Sequence, residues 1–250
     1  MNASDININA DVATDAFYAG DLEQMRRATN YLRWQNRIIF PFLGKHVLEI
    51  GSGIGNLTVP LAEKSGTVLA IEPNQHCYAR LLEATRWHSN VKCLNIFSEH
   101  LHNHLPPVGR FDTLVSTNVF EHILDDRNVL LAALPFLRDR AKIILQVPAG
   151  NWAYGEMDRL LGHYRRYDKP MMRSLFSSVP GHFIKLRYYN PLGMIGWWVN
   201  TKIKKISRQS DRQIWIFDKL ILPPQALVER VVRFPFGQTI FAVFEYTKQP

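Results

Sequence analysis

The chain has 250 residues, a net charge of +8 at pH 7 and a hydrophobic share of 46%, which suits one globular domain with an elaboration. Two cysteines, Cys77 and Cys93, imply no disulfide framework and make a reducing cytoplasm the expected setting. No apolar run is long enough to span a bilayer, and the polar first fifteen residues lack the pattern of a secretory leader.

Residues 1–20 are expected to form a mobile tail, leaving 21–250 as a single domain. Leu22 through Phe40 places Met25, Ala28, Tyr31, Leu32, Gln35 and Ile39 at helical spacing, closed by Pro41. Val47-Leu48-Glu49-Ile50 reads as a first buried strand that stops on Gly51-Ser52-Gly53-Ile54-Gly55. A helix follows from Asn56. Glycines at such a turn allow close backbone approach, and the helix start presents N–H groups to a ligand. The spacing is G-x-G-x-G; the dinucleotide fingerprint is G-x-G-x-x-G, and Asn56 stands where its third glycine would fall. Glu49 would repel a pyrophosphate but suits a cationic amine. Thr67–Ile71 reads as the second strand, ending at Glu72, seventeen residues after Gly55, where a carboxylate can accept both ribose hydroxyls. The third strand is expected over 90–96, before Phe97-Ser98-Glu99. The fourth, 111–117, runs into Asn118-Val119-Phe120-Glu121-His122-Ile123. The fifth is read over 141–147, the sixth over 182–189 and the seventh over 238–246.

The Glu49–Gly55 turn, the acid after the second strand and the Asn118–Ile123 block resemble, in this order over residues 45–148, class I S-adenosylmethionine (SAM) methyltransferases. The resemblance implies an α/β fold, a Rossmann-like seven-stranded methyltransferase sheet of order 3-2-1-4-5-7-6, with helices on both faces and a helical cap insertion. It implies S-adenosyl-L-methionine as cofactor. Its contacts would come from Glu49, Gly51, Gly53, Gly55, Asn56, Glu72, Pro73, Ser98, Glu99 and Asn118. Helices before the first strand close over the cofactor in this family. Tyr31 and Trp34 therefore either touch it or only staple their helix to the sheet.

Substrate choice is expected after the fifth strand. A loop over 149–168 contains Gly162-His163-Tyr164-Arg165-Arg166-Tyr167 and ends at Asp168-Lys169-Pro170, a helix start. An insertion over 190–236 contains Trp197-Trp198. The G-H-Y-R-R-Y block and the W-W insertion resemble one bacterial subgroup whose genes often accompany those for surface polysaccharides or secondary metabolites. Leu192, Ile195, Val199, Ile203 and Ile206 form a helical stripe, expected to pack on the domain as a cap; the other reading is an interfacial helix on anionic lipid. Tyr164, Arg165, Arg166, Tyr167, Trp197 and Trp198 are the candidate substrate contacts, with the arginines able to clamp a carboxylate or phosphate.

Methyl transfer to oxygen needs an in-line geometry and a base. His163 is the first candidate, His122 the second, and Glu121 could orient either the histidine or the acceptor. A metal site is not expected. The E-x-x-E-H motif of some related methyltransferases has Asn118 at its first acid, and hard cations prefer several carboxylates. The histidines of Glu99–His104 read as a loop and short helix. Lys202, Lys204, Lys205, Arg208 and Arg212 suggest a basic face, but neither aromatic platforms nor an N-P-P-Y-type signature accompany them, so a nucleic-acid partner is not favoured. The expected acceptor is a small or lipid-like molecule, O-methylated in secondary-metabolite or surface-glycan or lipid biosynthesis. The setting is cytoplasmic, with peripheral contact to an anionic membrane as a further expectation. Nitrogen or carbon acceptors, a nucleic-acid substrate and a non-catalytic SAM-binding role are the alternatives.

Overall fold

The computed structural model describes residues 20, 22–106, 109–203 and 210–248. The expected tail falls almost wholly outside the described residues, as do Lys204, Lys205, Ile206 and Arg208. Seven strands form one sheet: β1 (His46–Ile50), β2 (Thr67–Ile71), β3 (Val91–Leu94), β4 (Phe111–Thr117), β5 (Leu137–Pro148), β6 (Gly181–Tyr189) and β7 (Thr239–Tyr246). Their order is β3-β2-β1-β4-β5-β7-β6. β1 to β5 pair in parallel, and β7 runs antiparallel to both β5 and β6.

Strand alternation explains why the sheet is covered on both faces. Leu48, Ile50, Leu69, Ile71, Leu114 and Ile143 enter one apolar cluster. Their neighbours Val47, Val68, Val115 and Ile144 enter another, on which Trp34, Ile39 and Leu61 pack. The helices are α1 (Thr29–Ile39), α2 (Thr58–Lys64), α3 (Gln75–Thr85), α4 (Asp126–Ala133), α5 (Glu156–Leu160), α6 (Lys169–Leu175), α7 (Pro191–Trp198), α8 (Asp211–Ile216) and α9 (Leu222–Val231). Local chemistry sets their starts: Asn74, Asp125, Asp168 and Asn190 each accept a first-turn N–H.

The helical spacing over Leu22–Phe40 is interrupted. A turn at Arg27 and a non-helical Ala28 separate a short first piece from α1. The insertion between β6 and β7 is helical. Two buried acids tie it to α1: Asp218 Oδ1 accepts from Tyr31 N at 2.8 Å, and Glu229 Oε2 accepts from Trp34 Nε1 at 3.1 Å. Glu229 Oε1 also accepts from Asn190 N at 2.5 Å, fixing the turn after β6.

The expected cap stripe is corrected. On α7 the buried face is Gly193, Met194 and Trp197, whereas Ile195 and Ile203 are exposed. Leu192 and Val199 face a cavity. Among the described residues, no helix is long and apolar enough to cross a membrane.

Candidate functional site

A cavity of about 540 Å³ opens at the carboxyl ends of β1 and β4, where helices on either side of a parallel sheet diverge and leave a crevice. One end is the turn after β1. Gly51, Gly53 and Gly55 all have positive φ (74°, 55° and 87°). A Cβ on Gly51 would also lie 2.2 Å from Val119 Cγ2, so the turn needs glycine for both conformation and space. Glu49 is buried on this wall and accepts from Thr58 Oγ1 at 2.6 Å. Burial pushes its carboxyl up to about 7, against the hydrogen bonds from Thr58 and Ser52. A buried carboxyl beside open glycine backbone fits a ligand with a cationic amine.

Glu72 is placed differently from expectation. It is buried outside the cavity wall, and its oxygens accept from Gly53 N at 2.7 Å and Asn74 N at 2.9 Å. Its carboxylate therefore holds the glycine turn from behind. Pro73, Ser98, Glu99 and Gly55 also lie off the wall, whereas Gly51, Gly53, Asn56, Asn118 and Tyr31 line it. Trp34 does not reach the cavity. It packs on Tyr31 and Tyr189 and donates to Glu229, so it staples α1 to the cap.

The other end of the cavity carries Glu121, His122, His163 and Arg166. The turn after β4 supplies the first two, and the loop before α6 supplies the others. His163 Nδ1 lies 2.9 Å from Asp158 Oδ1, and Arg166 Nε donates to the same oxygen at 2.7 Å. Burial alone would raise the Asp158 carboxyl; His163, Arg166 and the Gly155 N–H outweigh it and hold it below its usual range. An ionised carboxylate only accepts, so His163 carries a proton on Nδ1, which makes Nε2 the acceptor nitrogen of the neutral imidazole. The His122 ring stands edge-on to His163, 4.7 Å between centroids. Burial first, and then His163, depress His122 to about 3, so it is neutral at physiological pH. Glu121 is buried, with Oε2 lacking a hydrogen-bond partner, and burial raises it to about 8.

Asp158 is the hub that the sequence did not single out. The available signal was an acid five residues before His163 and eight before Arg166 on one loop. Other expected contacts turn away from the cavity. Arg165 pairs with Asp126 at 2.8 Å and donates to Leu124 O at 2.7 Å. Tyr167 is buried and donates to Asp126 Oδ2 at 2.6 Å, with Phe120 O 3.1 Å from the same hydroxyl. Tyr164 and Trp198 are exposed off the cavity wall. Arg166 does reach the wall, but its guanidinium is committed to Asp158, to Ala149 O at 3.1 Å and to the Trp197 face at 4.3 Å. Neither arginine is placed to clamp an anion. Trp197 is buried and lines the cavity under Arg166.

Glu121, His122 and His163 each offer a donor atom, all within 4.8 Å of one another. Two imidazoles and a carboxylate are a set that could hold a divalent ion. The motif after β4 did not suggest it because the third donor comes from the later loop.

The remaining cavity wall is apolar: Met25, Leu32, Leu192, Val199, Ile214 and Phe217. A seven-stranded sheet in this order, with a glycine turn and acid at the tip of β1, defines the class: a Rossmann-like α/β enzyme with its site at the carboxyl edge of the sheet. A methyltransferase-domain family model matches residues 22–187, and the chain belongs to that family. The glycine turn and the buried Glu49 are the end of the cavity where the sequence resemblance puts S-adenosyl-L-methionine.

Sequence relatives include an uncharacterized methyltransferase of Geobacillus sp. (strain WCH70), 39% identical over 33% of this chain and 37% of that protein. The ubiquinone biosynthesis O-methyltransferase of Bradyrhizobium diazoefficiens is 27% identical over 44% of this chain and 42% of its own length. The ribosomal RNA small subunit methyltransferase A of Syntrophus aciditrophicus is 26% identical over 50% and 48%. The matches thus span less than half the length of these relatives. Among solved structures, a Haloferax volcanii protein in complex with a methyltransferase activator aligns with a TM-score of 0.64 at 15% identity, covering 94% of this chain and 96% of that one. The N-methyltransferase NodS of Bradyrhizobium japonicum, solved with S-adenosyl-L-homocysteine, gives 0.54 at 14% identity over 89% and 86%. These two likenesses concern the fold.

Proposed function

We propose that the enzyme methylates an oxygen of a small-molecule or lipid-like acceptor in secondary-metabolite or surface-glycan or lipid biosynthesis. One observation carries this reading: the apolar cavity wall runs from the glycine turn to a histidine whose Nδ1 is held by a buried carboxylate. When bound, SAM supplies an electrophilic methyl group on a sulfonium. Glu49 would hold its amine, the backbone of Gly51–Gly53 and Asn56 would cradle it, and Asn118 and Tyr31 would border it. Met25, Leu32, Leu192 and Phe217 exclude water and select an apolar acceptor. His163 Nε2 would take the proton that the acceptor hydroxyl loses on methylation, the methyl coming from the sulfonium, whose sulfur would keep the bonding pair. Asp158 holds the resulting imidazolium in place, while His122 and Glu121 shape the pocket around it.

The loop over 149–168 and the insertion over 190–236 are then the substrate-choosing parts, as the G-H-Y-R-R-Y and W-W subgroup resemblance suggests. The ubiquinone biosynthesis O-methyltransferase among the relatives supports an oxygen acceptor. We place the enzyme in the cytoplasm, at the inner face of the membrane. Ribosomal RNA methyltransferases among the relatives, with the net charge of +8, favour a second reading in which the acceptor is nucleic acid. Methyl-labelled SAM with a cell extract separates the two: label in the organic-soluble fraction supports the first, label in RNA the second.

A further inference from the structure

The helical insertion leaves one face uncovered. Along the continuous helical run from Asp211 to Val231, the residues turned inward include Asp218, Leu222, Gln225 and Glu229. On α9, at about 100° per residue, Pro224, Leu227, Val228 and Val231 fall on the opposite side, and Leu220 precedes them in the π-helical turn Phe217–Ile221. All five are exposed, Leu220 at 60%, Leu227 at 59% and Val231 at 87%. Val232 continues the patch, 44% exposed. No acidic side chain interrupts the stripe: Glu229, the acid of α9, is buried against Trp34 and Asn190. On its flank Lys219 is paired with Asp218 at 2.8 Å and donates to Thr29 Oγ1 at 2.9 Å, whereas Arg230 is exposed, with exposed Arg233 just beyond the end of the stripe.

We propose that this stripe is a docking surface for a bilayer with anionic headgroups. An apolar helix face with cations on its flank matches such an interface. The side chains enter the acyl boundary and the cations meet the headgroups. The same helical run supplies Ile214, Phe217 and Ile221 to the cavity wall. A bilayer against Leu220–Val232 would therefore lie beside the site. The inference deepens the lipid-like acceptor reading and rests on it for its purpose, but binding to vesicles can be measured without any methyl transfer. It also relocates the expected membrane contact, because Trp197 is buried under Arg166.

The test is co-sedimentation of the full chain with vesicles of phosphatidylcholine and phosphatidylglycerol in equal amounts, against phosphatidylcholine alone. Binding is expected to the mixed vesicles and to weaken as salt rises. Leu227→Glu/Val231→Glu should reduce it by at least about tenfold, with SAM binding unchanged as the check on folding. Arg230→Gln/Arg233→Gln, which leaves the stripe apolar, should remove the preference for phosphatidylglycerol. Absence of binding at low salt, or binding that the double glutamate variant retains, overturns the proposal. So does a stable dimer in sedimentation velocity that the same variant dissociates, since a second copy then covers the stripe.

Discussion

His163 and Asp158 form a pair closed at 2.9 Å inside one loop, with Arg166 bound to the same carboxylate oxygen at 2.7 Å. Asp158→Asn leaves the volume but offers an amide where an acceptor is required. The favoured His163 tautomer then changes. We expect kcat to fall by about 10²–10³-fold with little change in SAM affinity, and His163→Ala to fall by a similar or larger factor. Steady-state kinetics with isothermal titration of SAM checks this. An equal loss of SAM affinity would mean that the loop serves the fold.

Glu49 gives the cofactor site its pH dependence. Its carboxyl is raised to about 7 by burial, so below that pH it is neutral and no longer attracts an amine cation. SAM affinity should decline by about tenfold per unit as pH falls below 7, and Glu49→Gln should bind weakly with a flat profile. The free protein behaves oppositely. A raised carboxyl pKa contributes stability present below the unfolded value and lost as pH rises through 7, so Glu49→Gln should stabilise the free protein above that pH. Thermal unfolding with and without SAM, at several pH values, reads both signs.

Gly51→Ala tests the turn. The added methyl meets Val119 Cγ2 at 2.2 Å with φ at 74°. Left-handed backbone alone costs a non-glycine residue about 1–2 kcal/mol. We expect loss of measurable SAM binding and a lowered melting temperature. Val119→Ala added to it should restore part of the stability by relieving the contact, but not the strain.

Glu229 anchors the cap to α1 and to the turn after β6 through Trp34 Nε1 and Asn190 N. Glu229→Ala strands two buried donors and should destabilise the fold by about 2–4 kcal/mol in urea unfolding. Glu229→Gln, which keeps one acceptor, should cost less.

Chelation separates the two chemistries open to Glu121, His122 and His163. If His163 is the base, its Nε2 must be available. Overnight treatment with a strong chelator should then leave kcat unchanged, and added Zn²⁺ should inhibit. Activity that disappears on chelation and returns with a dication would make these side chains ligands.

The cofactor end was legible because its parts are contiguous. Strand, glycine turn and helix fall within 47–64, and alternation of Val47 and Leu48 already implies two covered faces. At the other end of the cavity the sequence singled out the two histidines, His122 and His163, but not the carboxylate that holds one of them. Asp158 looked like any loop acid until the chain folded it between His163 and Arg166. The role of Trp34 stayed open between its two readings because its partner, Glu229, is 195 residues away. The stripe of α7 misled because that helix is apolar on nearly every side, so periodicity found the helix and not the covered face. At Glu72 the sequence showed an acid after the second strand, and only the fold shows its oxygens also accepting from Gly53 N and Asn74 N.

The central claim is methyl transfer to an apolar acceptor through His163. The most direct measurement is transfer of labelled methyl from SAM into a cell extract by the wild-type protein and by His163→Ala. Label should enter the organic-soluble fraction with the wild type and be reduced at least about 10²-fold with the variant. Label in RNA, no transferred label at all, or undiminished transfer by His163→Ala would contradict it.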